Sequence, residues 1–235
     1  MCECYKGFWK LCNTYGHKKH HLCVSIKTIL TITIMLKKST LFFALLLANA
    51  AFTSAQTLSV GPVIGGNVST FTVAPNTKNL LGLAIGGFAN YSVNDHFGLG
   101  VKVLYSQLGT AYTYNSDHDR LHYIQIPITA VYYFGETGNQ FRPKVFAGVY
   151  LAPLVKATNK NGDEILGTDG TPAYNDFDFG GVVGAGFNYR IQSRTWLNVD
   201  AGFSRGITDL TKNAFTYQNV AFGLNVGVSF PVGSD

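Results

Sequence analysis

Residues 217–230 read YQNVAFGLNVGVSF. Val220, Phe222, Leu224, Val226, Val228 and Phe230 alternate with Asn219, Ala221, Gly223, Asn225, Gly227 and Ser229. Side chains in a strand point alternately to opposite faces, so this segment has one wholly apolar face and one small, polar face. The same split recurs upstream. Leu197, Val199, Ala201 and Phe203 oppose Asn198, Asp200, Gly202 and Ser204; Phe97, Leu99, Val101 and Val103 oppose Gly98, Gly100 and Lys102. No window after Gln56 sustains a helical period. The pattern predicts an all-β chain of eight antiparallel strands near 57–70, 80–93, 97–113, 120–134, 141–157, 175–189, 196–209 and 216–231.

The connections decide how the strands are arranged. Asn94-Asp95, Gly135–Gln140 and Arg190–Thr195 are short. The stretches near 71–79, 114–119, 158–174 and 210–215 are generally longer and rich in Asn, Thr, Gly and Asp. An up-and-down sheet puts these two sets at opposite ends, as in a transmembrane barrel with short periplasmic turns and long external loops. An even strand number then leaves both ends of the barrel segment on the periplasmic side. A soluble barrel of lipocalin type would carry many charges on its outer face. Here the face opposite the apolar one is Gly, Asn, Ser and Ala, which suits a narrow interior. Large aromatics on the apolar parity form two expected girdles: Tyr91, Phe97, Tyr132, Phe134, Phe187, Tyr189 and Phe230 near the short turns, and Tyr105, Phe177, Phe179 and Phe203 toward the long loops.

The first 55 residues have a different character. MLKKSTLFFALLLANAAFTSAQ, from Met35, has a basic start, an apolar run from Leu41 to Phe52 and the small residues Thr53-Ser54-Ala55. This is a secretory signal with expected cleavage between Ala55 and Gln56. The expected organisation is residues 1–34 as an extension ahead of a misplaced start, 35–55 as the signal peptide, and 56–235 as the barrel. Cys2, Cys4, Cys12 and Cys23 all precede the signal, at spacings that match no zinc pattern. The chain's net charge of +5 also resides there: seven of 18 basic residues and one of 13 acidic residues lie in 1–55, leaving 11 against 12. The remainder is near neutral, so a nucleic-acid partner is not expected.

Residues 121–135 read LHYIQIPITAVYYFG, and the chain closes on GLNVGVSFPVG. With the signal peptide and the eight-strand plan, these segments resemble the PorT-like outer-membrane β-barrel family of Bacteroidota. Tyr123, Ile124, Gln125, Ile126 and Pro127 match that family's Tyr-hydrophobic-Glu/Gln-hydrophobic-Pro strand, with Gln in place of the commoner Glu. The resemblance implies an outer-membrane barrel, some of whose relatives serve protein secretion, and it carries over no catalytic residues.

Lys102, Gln125, Lys144 and Asp200 share the inward parity, and are expected to form a hydrogen-bonded ion network that plugs the barrel; a proton or small-ion path is the alternative. Asp117, His118, Asp119 and His122 could hold a divalent metal if the chain bent there, but His118 and His122 are about 13 Å apart in extended chain. Ser116 with these histidines could form a nucleophile–base pair, but no G-x-S-x-G elbow is present. NKNGDE and GTDGTP in 159–174 lack calcium-loop spacing and fit turn chemistry. The triplets at Asn67 and Asn90 fall within strands and are discounted as glycosylation sites. No catalytic, cofactor-binding or metal residues are expected. The expected function is non-enzymatic: a structural or surface-interaction barrel at the outer membrane. Expected partners are membrane lipid, the barrel-assembly machinery and an external or periplasmic protein. Transport through a narrow pore, a secretion-associated role and lipid modification are the alternatives.

Overall fold

The computed structural model describes residues 57–72, 76–114, 117–136, 138–167, 170–211 and 216–232. The expected signal peptide, its cleavage site, the four cysteines and Ser116 lie outside the described residues. The strands are β1 (Thr57–Phe71), β2 (Thr77–Lys78), β3 (Leu80–Ser92), β4 (Phe97–Tyr112), β5 (His118–Tyr133), β6 (Phe141–Thr158), β7 (Phe177–Gln192), β8 (Thr195–Gly206) and β9 (Asn219–Val232). β2 prolongs β3 along the same edge of β4, pairing Thr77 with Tyr112 and Lys78 with Ala111. The sheet therefore has eight staves, each antiparallel to its neighbours. β1 pairs with both β3 and β9, and β4 pairs with β5, which closes the barrel. No helix occurs among the described residues.

Parity sorts the side chains as alternation requires. Leu99, Val101, Val103, Phe222, Leu224 and Val226 lie exposed on the outer wall, while Lys144, Asp200, Asn198 and Ser229 are buried inside. At the short-turn end, Phe97 packs on Tyr132 at 5.1 Å and Tyr132 on Phe134 at 5.1 Å. Phe141 joins this belt against Phe187 at 5.2 Å. Phe177 and Phe203 are exposed toward the other end.

Most strand boundaries differ from the sequence reading by one to three residues, and two of the differences have clear local reasons. β5 begins at His118 because its first residues pair with Ala111 and Thr110 of an equally long β4. β8 ends at Gly206 because Thr208 turns its hydroxyl back to Asp178 and accepts from the Phe179 N–H. One irregularity changes parity. Tyr123 pairs with Leu154 but His122 with Lys156, so Val155 is an extra residue and both Val155 and Lys156 face outward.

Inward glycines make room for large inward side chains. A Cβ on Gly180 would lie 2.6 Å from Cε1 of Tyr150, whereas one on the neighbouring, outward Gly181 would meet only the Gly148 carbonyl at 4.0 Å. Overpacking of this kind costs about 1–3 kcal/mol. Gly180→Ala is expected to lower the unfolding free energy of the barrel, read from urea titration in lipid vesicles, by that amount, and Gly181→Ala to leave it nearly unchanged. Equal effects of the two would mean that the inner face is not close-packed there.

Candidate functional site: the lumen and its mouth

Five layers fill the lumen. At the short-turn end Arg142 stacks over the Tyr133 ring, 4.5 Å from its centroid, and donates to the carbonyl of Asp95 in the turn. Above it, Nζ of Lys102 and Nζ of Lys144 each lie 2.8 Å from one oxygen of Asp200. Lys102 also sits 5.7 Å from the centroid of Phe146. These three residues come from β4, β6 and β8 and meet because all point inward at similar heights. Gln125 lines the space above them with Asn67 and Asn90, around a cavity of about 70 Å³, enough for a few waters and too small for a solute. Both asparagines flagged as glycosylation triplets are thus buried inside the barrel.

Of the motif residues, Tyr123 is fully buried and accepts from Nδ2 of Asn219 at 3.3 Å. Pro127 has no N–H to offer. The β4–β5 pairing skips from Val101–Ile128 to Leu104–Gln125 across it, beside Lys102.

The fourth layer centres on Asp178, which is fully buried. Its carboxylate accepts from Tyr150 Oη at 3.0 Å, Thr208 Oγ1 at 2.7 Å and Asn219 Nδ2 at 2.8 Å. Among the described residues, all its side-chain donors are neutral groups. Asp178 alternates with Phe177 and Phe179 and so has the inward parity, but its partner Thr208 reaches it from a loop. Above it the barrel is sealed by an apolar cluster that includes Phe71, Leu108, Leu121, Leu210 and Tyr174. Leu210 and Tyr174 are loop residues folded inward, and Asn175 ties the two loops together by donating to the carbonyls of Leu210 and Asp209.

Beyond the seal a vestibule of about 410 Å³ opens at the long-loop end, lined by Phe71, Tyr112, Tyr114, Asp119, Tyr174 and Tyr217 among others. Oδ2 of Asp119 accepts from Tyr112 Oη at 2.6 Å and from Tyr174 Oη at 2.5 Å. Burial, reinforced by the Asp119 carboxylate, pushes the Tyr174 phenol above its usual ionisation range. Two of the four residues of the metal idea separate on parity, while the nucleophile–base idea rests on Ser116, outside the described residues. Asp119 faces the vestibule, while His122 lies on the outer wall between Tyr105 Oη and Thr158 Oγ1. Among the described residues no group of three potential metal ligands forms. The loop 159–167 is organised by Asn159, whose Oδ1 accepts from the N–H groups of Asn161 and Asp163, as in an Asx turn.

This closed barrel, with its apolar wall and packed lumen, matches the outer membrane protein beta-barrel domain over residues 54–212. The chain belongs to that family. It is an outer-membrane β-barrel. Among solved structures, Neisserial surface protein A is 17% identical over 74% of this chain and 96% of its own, with a TM-score of 0.50, and shares the fold. Outer Membrane Protein W of E. coli is 14% identical over 76% of this chain and 98% of its own, with a TM-score of 0.48. No curated protein matches this chain.

Removing the carboxylate of Asp200 would leave Lys144, 4% exposed in its side chain, without its anion. Breaking such a pair costs about 3–5 kcal/mol, while replacing every charged member by apolar groups is often neutral or better. Asp200→Ala is expected to destabilise the folded barrel by that amount in urea, and the triple variant Lys102→Met/Lys144→Met/Asp200→Leu to recover most of it. An unchanged midpoint for Asp200→Ala would remove the network from the account of stability.

The Tyr174 phenol gives a second test. Tyrosine in an unfolded chain ionises near pH ~10. Because the folded value is raised, the contribution of Tyr174 is fully present below that pH and is lost as pH climbs through the folded value. Thermal stability of the wild type is expected to fall above pH ~10, and less steeply in Tyr174→Phe; parallel curves would contradict the assignment.

Proposed function

We propose that this chain is a non-conducting, non-enzymatic outer-membrane barrel whose long loops and vestibule meet a partner outside the cell. The observation that carries this reading is the filled lumen. Between the Arg142–Tyr133 layer and the Leu210–Tyr174 seal, the cavity lined by Lys102, Gln125, Lys144 and Asp200 holds about 70 Å³. A water-filled pore needs a wider barrel or an unplugged one, and eight strands enclose little more than their own side chains. Asp119, the one carboxylate among the vestibule's described lining residues, is held by two phenols, with His122 on the opposite side of the wall. That arrangement suits recognition better than proton transfer. Within the family, the Tyr123–Pro127 segment supports placing the chain with the PorT-like barrels of Bacteroidota, exported through a signal peptide cleaved after Ala55 and inserted by the barrel-assembly machinery.

Conductance in planar bilayers tests this reading. The purified barrel is expected to give no stable unitary currents, and Lys144→Ala, by loosening one layer, at most brief flickers. Steady single-channel steps in the wild type, with a size altered by Lys144→Ala, would instead make the Lys102–Asp200–Lys144 layer an ion path.

A further inference from the structure

We propose that the outer wall of β5 and β6 at the long-loop end, built on Arg120 and Lys156, is a binding site for the phosphate of an anionic membrane lipid. The first support is position. On β5 the outward residues Ile124, Ile126, Ile128, Ala130, Tyr132 and Phe134 form an unbroken apolar column. Ten residue steps at about 3.4 Å, tilted by about 40°, span roughly 26 Å of membrane normal, the height of a barrel's apolar band. The next outward residues are His122 and Arg120, so they stand at headgroup level, where the apolar interior of the leaflet ends.

The second support is sign. The strands carry three carboxylates, Asp119, Asp178 and Asp200, and each makes its bonds within the lumen or its mouth. At the long-loop end the strands' outward charges are cations: exposed Lys78 on β2, Arg120, Lys156 and, farther round the wall, Arg205. Among the described residues neither Arg120 nor Lys156 has a carboxylate within ion-pair distance. On the strands themselves, then, the acids turn inward and the bases at this end turn outward.

The third support is built geometry. Nη1 of Arg120 donates to the Leu81 carbonyl at 3.0 Å and to Gln107 Oε1 at 2.9 Å, which pins the guanidinium against the wall. Its other N–H groups meet no protein acceptor among the described residues. Arg120 pairs with Thr158 and His122 with Lys156, so Arg120 and Lys156 are diagonal neighbours across the strand pair. Diagonal partners lie about 7–8 Å apart at the backbone, within reach of one another's long side chains. The bulge at Val155 is what turns Lys156 outward beside Arg120. His122 fills the ground between them, both ring nitrogens engaged, and acts as a positioning residue. Nζ of Lys156 donates to the Gly162 carbonyl at 3.4 Å and meets no second protein acceptor among the described residues, so its remaining N–H groups are available to an anion shared with Arg120. A phosphate accepts a guanidinium edge and an ammonium together, and its acyl chains would lie along the Ile124–Ile128 column.

The test uses the full-length protein purified from membranes in detergent, with lipid retention read by native mass spectrometry. The probes are phosphatidic acid, diacylglycerol with the same acyl chains, and inorganic phosphate. The wild type is expected to retain phosphatidic acid in preference to both. Arg120→Ala/Lys156→Ala should lower that retention about tenfold or more, while Arg120→Lys falls between the two. Folding of each variant is checked by the heat-dependent gel shift of an intact barrel, and if the double variant fails it, Lys156→Ala alone, a change at an exposed side chain, carries the comparison. Retention unchanged in the folded variant, equal retention of diacylglycerol, or binding of inorganic phosphate as strong as that of the lipid would each overturn the proposal.

Discussion

Everything in this fold follows from the demand that no backbone N–H or C=O be left unpaired in hydrocarbon, where each costs several kcal/mol. A sheet meets that demand only by closing, and the β4–β5 ladder is the closure. Once the sheet is closed, each strand has one side in lipid and one in the lumen, and residue parity becomes destiny. Val101 and Lys102 are adjacent in the chain, yet one faces acyl chains and the other shares a carboxylate with Lys144. Closure also accounts for stability in a barrel segment that contains no cysteine.

The lumen of an eight-stranded barrel is only as wide as its own side chains, so its contents must fit as a core does. The large residues, Tyr123, Phe146, Tyr150 and Tyr133, occupy it together with inward glycines that yield space, as Gly180 does to Tyr150. Its charges are grouped because an isolated ion there would be insupportable. The two acidic centres are solved differently. Asp200 is neutralised by two lysines, whereas Asp178 is solvated by a phenol, a hydroxyl and an amide. The second solution recruits Thr208 from a loop, and so ties the loop to the barrel.

Period-2 alternation made the strands, their number, the two faces and the inward set Lys102, Gln125, Lys144 and Asp200 legible from residues alone, because each depends only on local parity and on turn chemistry. The sequence did not reveal features made by distant partners. Tyr174 and Leu210 look like ordinary loop residues until they are seen sealing the mouth. Asp119 and His122 look like members of one cluster until β5, starting at His118, sends them to opposite sides of the wall. The bulge at Val155 is silent in the sequence, yet it determines that Lys156 and Ala157 point to opposite environments.

The sealing of the mouth bears on what the outer end can do. A loop free to move must be ordered when it binds, and each immobilised side chain subtracts about 0.5–1.5 kcal/mol from affinity. Here Leu210 and Tyr174 are already buried, Asn175 joins their loops, and Thr208 is hooked to Asp178. The phenols of Tyr112 and Tyr174 are likewise held by one oxygen of Asp119. The residues that pack across the lumen therefore also fix the floor of the vestibule. A packed lumen and a preorganised outer surface are here consequences of the same packing.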